Sequence, residues 1–160
     1  MPADDLAARV LDACRARGWR LGTAESCTGG LVAGALTEIA GASDVVEAGL
    51  VTYSNAAKTR FLGVPAELIQ AVGAVSEEVA RAMAEGVLRV LPEAHLAVSV
   101  TGIAGPGGAT PGKPVGLVHF GLAVRDAETR HRREVFVGDR SAVRRSSVLC
   151  ALEMLLAACE

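Results

Sequence analysis

Aromatic side chains are scarce in this sequence. Phe, Trp and Tyr together make up 3% of its 160 residues, whereas hydrophobic residues make up 51% and glycine fills 18 positions. The core must therefore be built mainly from Val, Leu and Ala, a composition that suits close-packed α/β layers. A chain of this length corresponds to one ordinary domain, and we expect residues 1–160 to form a single domain.

The sequence also lacks a strong excess of charge. It carries 16 basic and 18 acidic residues, for a formal net charge of −2, and no basic run is interleaved with aromatics, which argues against a nucleic-acid partner. Gly and Pro interrupt the longest uncharged stretch, 96–112, so we expect no membrane partner. The acidic start has no apolar segment after it, which predicts a cytoplasmic protein without a signal peptide.

Cysteine is present but not in a metal-binding or disulfide-rich pattern. The four cysteines show no Cys-x-x-Cys spacing and have no histidine pair nearby; they are Cys14, Cys27, Cys150 and Cys159. The sequence therefore predicts neither a metal site nor a disulfide framework.

Hydrophobic spacing and turn residues predict an alternating α/β chain. A first amphipathic helix ends near Gly18, and the predicted order of elements is α-β-α-β-α-α-β-β-β-α. Strands are predicted at 19–24, 45–53, 96–100, 115–124 and 134–137, helices at 31–39, 55–62, 76–91 and 139–158, and a further helical turn at Pro65. Asn55 and Ser76 are expected to cap their helices, and the charged segment 125–133 to be a solvated hairpin tip. We predict a single-domain three-layer α/β/α sandwich with a mixed sheet, whose functional loops lie at strand ends.

One glycine-rich segment comes close to a phosphate-binding P-loop. Residues 107–114 have its spacing, but Pro114 stands where the Mg²⁺-binding Ser or Thr belongs, and Pro111 removes an amide donor. The residues after Lys113 are predicted to form a strand, whereas a P-loop leads into a helix N-terminus. These differences exclude a Walker-type NTPase.

A second segment, Glu25-Ser26-Cys27-Thr28-Gly29-Gly30, lies between a predicted strand and a predicted helix. A Ser or Cys on such a turn is exposed, and the amides behind it point at one spot where they can stabilise an oxyanion. Ser26 is the first candidate nucleophile and Cys27 the second. A simple helix cap by Ser26 or Thr28, with Cys27 as a small buried residue, explains the same pattern without chemistry.

A hydroxyl nucleophile needs a base, and the histidines are poorly placed for that role. His95 opens a strand, His119 lies within one, and His131 lies in the charged turn.

Lysine is the alternative base, and it is rare here because 14 of the 16 basic residues are Arg. A desolvated lysine can lose its proton at a pH where arginine cannot, which makes Lys58 a candidate. Tyr53, the only tyrosine, would relay the proton or orient the amine. Chance placement of Lys58 on a helix surface is the other interpretation.

The last predicted helix begins with several arginines. Arg140 and Arg144 are four residues apart, while Arg145 falls inside the apolar stripe of that helix and Arg144 at its edge. A cation that faces inward needs an anion, either a carboxylate such as Glu25 or a ligand phosphate. A solvated first turn is the alternative interpretation.

Six short motifs follow one another along nearly the whole chain. They are AESCTGG at 24–30, GLVTYSN at 49–55 with Lys58, GAVSE at 73–77, GIAGP at 102–106, KPVG at 113–116, and GDR at 138–140 followed by Val143-Arg144. Together they resemble the CinA C-terminal domain family, over about residues 5–158. Stand-alone members of that family are nicotinamide-nucleotide amidohydrolases. The resemblance therefore implies hydrolysis of nicotinamide mononucleotide to nicotinic acid mononucleotide and ammonia, in pyridine-nucleotide recycling, with no metal or organic cofactor.

The resemblance also implies roles for individual residues. Ser26 would be the nucleophile, with Lys58 and Tyr53 as the base system. Backbone groups of four residues would form or support the oxyanion hole: Cys27, Thr28, Gly29 and Gly30. The expected substrate-binding residues are Asn55, Thr101, Gly102, Gly105, Arg140 and Arg144, with Arg140 or Arg144 on the 5′-phosphate.

Two other functions fit the same sequence. A non-catalytic nucleotide-binding or interaction domain would bind ligand without releasing ammonia, and an amidase for another small amide would release ammonia from free nicotinamide or glutamine. Many family members also carry an N-terminal molybdopterin-binding-like domain, whose function is not transferred to this chain. Because the chain is apolar and poor in aromatics, we expect it to bury a face in a homodimer.

Overall fold

The computed structural model describes residues 2–160, which form one mixed five-stranded sheet between two helical layers. The helices are α1 (Pro2–Arg17), α2 (Leu31–Thr37), α3 (Asn55–Leu62), α4 (Ala66–Val72), α5 (Glu77–Val90) and α6 (Arg140–Cys159), and a 3₁₀ turn covers Ala42–Asp44. The strands are β1 (Leu21–Glu25), β2 (Val46–Val51), β3 (Leu96–Gly102), β4 (Leu117–Val124) and β5 (Arg130–Val135).

The strand order is β2-β1-β3-β4-β5. β2, β1 and β3 are parallel, whereas β4 is antiparallel to both β3 and β5. The ends of β1, β2 and β3 therefore meet at one edge of the sheet, where parallel α/β sheets place their sites. The predicted three-layer sandwich with a mixed sheet is confirmed.

Two apolar clusters hold the layers together. One joins α1, α2 and α6 to one face of the sheet and includes Leu11, Leu36 and Phe120. The other joins α3, α4 and α5 to the opposite face and includes Leu62 and Met83. Each cluster removes a continuous apolar surface from water, which is the main favourable contribution to folding.

The position of α3 against α5 depends on a glycine. A Cβ atom at Gly86 of α5 would overlap the carbonyl group of Leu62, at the end of α3. The glycine lets the two helices approach closely at the core. This contact matters for the site because α3 also carries Lys58.

Three local predictions need correction. The turn at Pro65 extends into a separate helix, α4, so three helices rather than two lie between β2 and β3. The N-cap of α3 is Ser54, whose hydroxyl accepts a hydrogen bond from the amide of Ala57, and not Asn55. β5 begins at Arg130, inside the segment expected to be a hairpin tip, because an exposed edge strand tolerates charged side chains.

Candidate active site

The turn after β1 places Ser26 at the edge of the sheet. The amide of Ser26 still donates to the carbonyl of Val100 on β3, so the residue is anchored to the sheet. The buried Glu25 carboxylate accepts hydrogen bonds from two amides in the first turn of α2, at 2.9 and 3.1 Å. These contacts join strand, turn and helix into one unit.

The glycines of this turn adopt conformations that other residues rarely take. Gly29 has φ +57° and Gly30 has φ +102°, in the left-handed region that glycine enters without a Cβ penalty. They reverse the chain between β1 and α2 within a few residues. Ser26 is therefore left partly exposed at the turn, as expected.

Lys58 is the most unusual side chain of the site because it is a lysine with 1% exposure. Its Nζ atom lies 3.0 Å from Ser26 Oγ and donates to the carbonyl oxygens of Thr52 and Tyr53, at 2.9 and 3.0 Å. Burial lowers the pKa of Lys58 to about 8, from an ordinary value of 10.5, because desolvation disfavours the charged form. The pairing of Ser26 with a lysine of low pKa brings together two of the predicted residues.

Cys27 lies next to Ser26 but has different properties. It is 6% exposed, and burial raises the pKa of its thiol to about 11. A thiol with that pKa stays protonated at neutral pH, and the thiolate is the nucleophilic form. Of the two candidates, Ser26 is the one whose oxygen lies against a lysine of lowered pKa.

Tyr53 contributes its backbone rather than its phenol to the lysine. Its carbonyl oxygen accepts from Lys58 and from the Ser26 hydroxyl, the latter at 3.3 Å. The Tyr53 side chain is 61% exposed, and its hydroxyl lies 3.3 Å from Nη2 of Arg140. Lys58 reaches Ser26 directly, so the geometry requires no relay through the phenol.

Arg144 is tied to the turn behind Ser26. Its Nε donates to the Cys27 carbonyl at 3.0 Å and its Nη2 to the Thr28 carbonyl at 3.3 Å. The expected carboxylate partner, Glu25, is instead occupied by the amides of α2. Arg144 therefore fixes the orientation of two peptide groups next to Ser26.

The amides of the turn are not equivalent. Gly29 donates its amide to the Ser26 carbonyl at 3.0 Å, which closes the turn; of the two predicted roles, forming or supporting an oxyanion hole, this contact fits the second. Within residues 2–160, the amides of Cys27, Thr28 and Gly30 have no backbone acceptor. Of these, Cys27 lines the cavity in front of Ser26.

A cavity of about 260 Å³ opens in front of Ser26. Its walls are Ser26, Cys27, Tyr53, Arg140, the last residue of β3, Gly102, and residues of the glycine-rich loop that follows, among them Gly105. Arg140 lies at the rim, where its Nη1 donates to the carbonyl of Gly105 at 2.9 Å.

Other predicted binding residues do not line this cavity. Asn55 lies in a separate hollow between α3 and α4. Thr101 is buried and donates its hydroxyl to the carbonyl of Ala74, at 2.9 Å. Arg144 contacts the turn as described, and Arg140 is therefore the arginine that faces the open space.

Two further cations, Arg145 and Lys113, lie outside the cavity in front of Ser26. Arg145 is exposed and borders an open hollow among α1, α2 and α6, so of the two interpretations of this residue the solvated first turn applies and the inward-facing cation does not. The first turns of α6 are not yet covered at that side, which leaves the guanidinium in water. Lys113 donates to the carbonyl of Val72 at the end of α4, and a strand follows it, which agrees with the exclusion of a P-loop.

The histidines have contacts of their own away from Ser26. His119 and His131 are hydrogen-bonded to each other at 2.8 Å, and burial lowers the pKa of His119 to about 4. His95 accepts from the amide of Arg20. The prediction that none of the three serves as the base agrees with this arrangement.

Sequence reasoning missed the groups that hold the lysine and the turn. The two carbonyls at Lys58 belong to Thr52 and Tyr53. Every residue has a backbone carbonyl, so no side-chain pattern could reveal these contacts.

Among residues 2–160, no group of three or more His, Cys, Asp or Glu side chains is placed to hold a metal ion. In that same range no helix is both long and apolar enough to cross a membrane.

The fold and the site define a three-layer α/β protein with a buried lysine paired to a serine at the ends of parallel strands. Residues 3–159 match the CinA C-terminal domain family. The chain belongs to that family, which confirms the resemblance.

Individual relatives agree with this assignment. A CinA-like protein from Anaeromyxobacter sp. (strain K) is 51% identical over 152 residues, which are 95% of this chain and 37% of that protein. The nicotinamide-nucleotide amidohydrolase PncC from Enterobacter agglomerans is 47% identical over 152 residues, covering 95% of this chain and 92% of that protein. The crystal structure of competence/damage inducible protein CihA from Agrobacterium tumefaciens superposes with a TM-score of 0.97 and 46% identity, covering 100% of this chain and 97% of that one. The chain thus spans little more than a third of the length of the first of these relatives.

Proposed function

We propose that this protein is an amidohydrolase that converts nicotinamide mononucleotide to nicotinic acid mononucleotide and ammonia, in pyridine-nucleotide recycling. The observation that carries the proposal is the contact between Lys58 Nζ and Ser26 Oγ, 3.0 Å apart at the edge of a cavity. The name of the Enterobacter agglomerans relative, which covers the same length, supports the choice of substrate.

The surroundings of Lys58 suit a general base. A neutral amine has two N–H groups, and the carbonyls of Thr52 and Tyr53 accept both. Its lone pair is then left for the hydroxyl proton of Ser26, which reaches Nζ, 3.0 Å away, when the hydroxyl rotates from the Tyr53 carbonyl. These two carbonyls stabilise the ammonium form of Lys58 less than a carboxylate would. Burial favours the neutral amine and so lowers the pKa of Lys58.

The reaction is acyl transfer in two stages. Lys58 takes the proton of Ser26 as Oγ attacks the carboxamide carbon, and then gives that proton to the departing nitrogen, which leaves as ammonia. Water attacks the resulting ester after losing a proton to Lys58, and the acid product and the Ser26 hydroxyl are released. A base that works in both directions needs a pKa near the operating pH, which a value of about 8 provides.

The negative oxygen that develops during attack needs hydrogen-bond donors. The amide of Cys27 is the best placed, because it follows the nucleophile, lines the cavity and has no other backbone acceptor. Arg144 holds the carbonyl of Cys27 and so limits rotation of the turn. Removal of one such donor typically costs about 10²- to 10³-fold in kcat.

Arg140 is our candidate for the 5′-phosphate. Its guanidinium lies at the cavity rim and uses Nη1 on Gly105 and Nη2 on the Tyr53 hydroxyl. With a net charge of −2 for the chain, attraction of an anionic substrate must come from a local cation rather than from the overall field. Arg140→Met should raise KM for the nucleotide by roughly 10- to 100-fold, with a smaller effect on the unphosphorylated nucleoside.

The decisive test is ammonia release from nicotinamide mononucleotide. Ser26→Ala should abolish turnover, and Lys58→Arg, which keeps the charge but cannot lose it, should cost about 10²- to 10⁴-fold. Cys27→Ala serves as the matched control and should stay near the wild-type rate.

Other outcomes identify the competing functions. Tight binding of the nucleotide without ammonia release would show a non-catalytic binding domain. Release from free nicotinamide or glutamine, with no preference for a phosphate, would show another amidase. An equal loss in Cys27→Ala and Ser26→Ala would move the nucleophile to the thiol.

A further inference from the structure

Two thiols meet where α1 and α6 lie side by side. Cys14 Sγ and Cys159 Sγ are 3.6 Å apart, although 145 positions separate the residues in the sequence. Cys14 is fully buried and Cys159 is 8% exposed. The contact lies inside the cluster that joins the two helices to the sheet.

The two sulfur atoms have unequal surroundings. The contact with the Cys14 thiol and the nearby Arg17 guanidinium lower the pKa of Cys159, against the opposing effect of burial, whereas the same contact and burial raise the pKa of Cys14. Arg17 also donates from Nε to the Cys159 carbonyl, at 2.7 Å, so the cation is held at that end of α6. Cys159 is therefore the thiol of this pair that ionises first.

Arginines also lie near the remaining cysteines, Arg144 at Cys27 and Arg132 at Cys150, but within residues 2–160 neither of these cysteines is in contact with a second thiol. Burial raises the pKa of Cys27 to about 11 and that of Cys150 to about 12. Thiolate character and access control oxidation of cysteine, so these two thiols are expected to react slowly.

We propose that Cys14 and Cys159 form a reversible disulfide, with hydrogen peroxide or an organic hydroperoxide as the oxidant. The Cys159 thiolate attacks one peroxide oxygen, the O–O bond breaks, and Cys159 becomes a sulfenic acid while the other oxygen leaves and takes up a proton. Cys14 then attacks the sulfenic sulfur, the S–O bond breaks, and water leaves. With hydrogen peroxide, two thiols and one peroxide give one disulfide and two waters, so sulfur is oxidised and peroxide oxygen reduced.

The bond needs only a small movement of the helices. A disulfide has a sulfur–sulfur distance of about 2.05 Å, so the atoms must approach by about 1.5 Å. The new bond would tie two distant parts of the chain and remove freedom from the unfolded state, which is how disulfides are thought to stabilise. It would not disturb Ser26, because Cys159 lies 15 residues beyond Arg144 on α6, about 22 Å along the helix.

The test is oxidation of the reduced full chain by stoichiometric hydrogen peroxide, followed by alkylation and mass spectrometry. We expect an intact mass lower by two hydrogens before alkylation, two rather than four alkyl groups after it, and a cross-linked peptide pair containing Cys14 and Cys159. The midpoint temperature of unfolding should rise by roughly 5–15 °C and return to its first value with dithiothreitol. Ammonia release, or nucleotide binding if the chain is not an enzyme, should be the same in both forms.

Two variants define the chemistry. Cys150→Ala removes a buried thiol of the same helix and should still form the cross-link. Cys14→Ser removes the resolving thiol, so a sulfenic acid should accumulate at Cys159 and be trapped by dimedone. Faster oxidation of Cys27 or Cys150, conversion of Cys159 to sulfinic acid in the wild-type chain, or a cross-link only between two chains would each overturn the proposal.

Discussion

Raising the pH from 7 to 9 should increase kcat/KM for amide hydrolysis about tenfold, because the reaction needs the neutral form of Lys58. With a pKa of about 8, about 9% of the amine is neutral at pH 7, half at pH 8 and about 91% at pH 9. The rate should then level off. The pKa is low because burial of the amine disfavours its charged form, so the expected midpoint reflects that burial.

The measurement is the initial rate of ammonia release at low concentrations of nicotinamide mononucleotide, from pH 6.5 to pH 10 at constant ionic strength. At low substrate concentration the profile reports the ionisation of the free enzyme. Circular dichroism at each pH should show that the fold is intact. Ser26→Ala provides the background rate.

The profile also separates the two nucleophiles. If the Cys27 thiolate attacked, its pKa of about 11 would make the rate climb about tenfold with every unit up to pH 10. A rate that keeps climbing in this way, or one that does not change between pH 7 and pH 9, would refute the assignment of Lys58 as the base of Ser26.

Three further predictions concern the supports of the site. Arg144→Met should lower kcat on the order of 10- to 100-fold with little change in KM, because the turn loses its anchor. Arg144→Lys should recover part of the rate, whereas the control Arg145→Met, at an exposed position, should leave kcat unchanged. Urea denaturation should show that all three variants are folded. Gly86→Ala should lower the free energy of unfolding by about 1–3 kcal/mol through overlap with α3, while Gly34→Ala, in an open helical position, should raise it by about 0.5–1 kcal/mol. Between pH 8 and pH 10.5 the free energy of unfolding of the wild-type chain should rise by up to about 3 kcal/mol relative to that of Lys58→Met. In this range Lys58 keeps its proton in the unfolded chain and has lost it in the folded one. If the difference in free energy between the two proteins stayed constant across that range, the low pKa would be contradicted.

Most of the secondary structure could be predicted because it follows from local patterns. The helix that begins at Asp139 and the strand after Lys113 both appear where the sequence indicates them, since capping and short apolar runs act within a few residues. β5 is the exception, because its charged residues form a strand only when β4 supplies a partner. Pairing across the sheet is a non-local interaction that no window of sequence contains.

The site shows the same division at the level of side chains. Ser26 could be proposed from its turn, Lys58 from the scarcity of lysine, and both from their motifs. Tyr53 could be placed near them, but the use of its carbonyl and the position of its phenol on Arg140 could not. The sequence also left open whether Gly29 would form or support an oxyanion hole, and only the structure places its amide on the Ser26 carbonyl.

By itself, the sequence determined the layers of the fold, the reversal of the chain at Gly29 and Gly30, and the identity of the two residues proposed for the chemistry. The layers follow from the spacing of hydrophobic residues, the chain reversal from the backbone freedom of glycine, and the proposed chemistry from the side-chain functional groups. All three are properties of the residues themselves. Only the tertiary structure decided that Lys58 is buried 3.0 Å from Ser26 and that Cys14 meets Cys159. The physical reason is that burial, and therefore the pKa of an amine or a thiol, depends on which distant segments surround it.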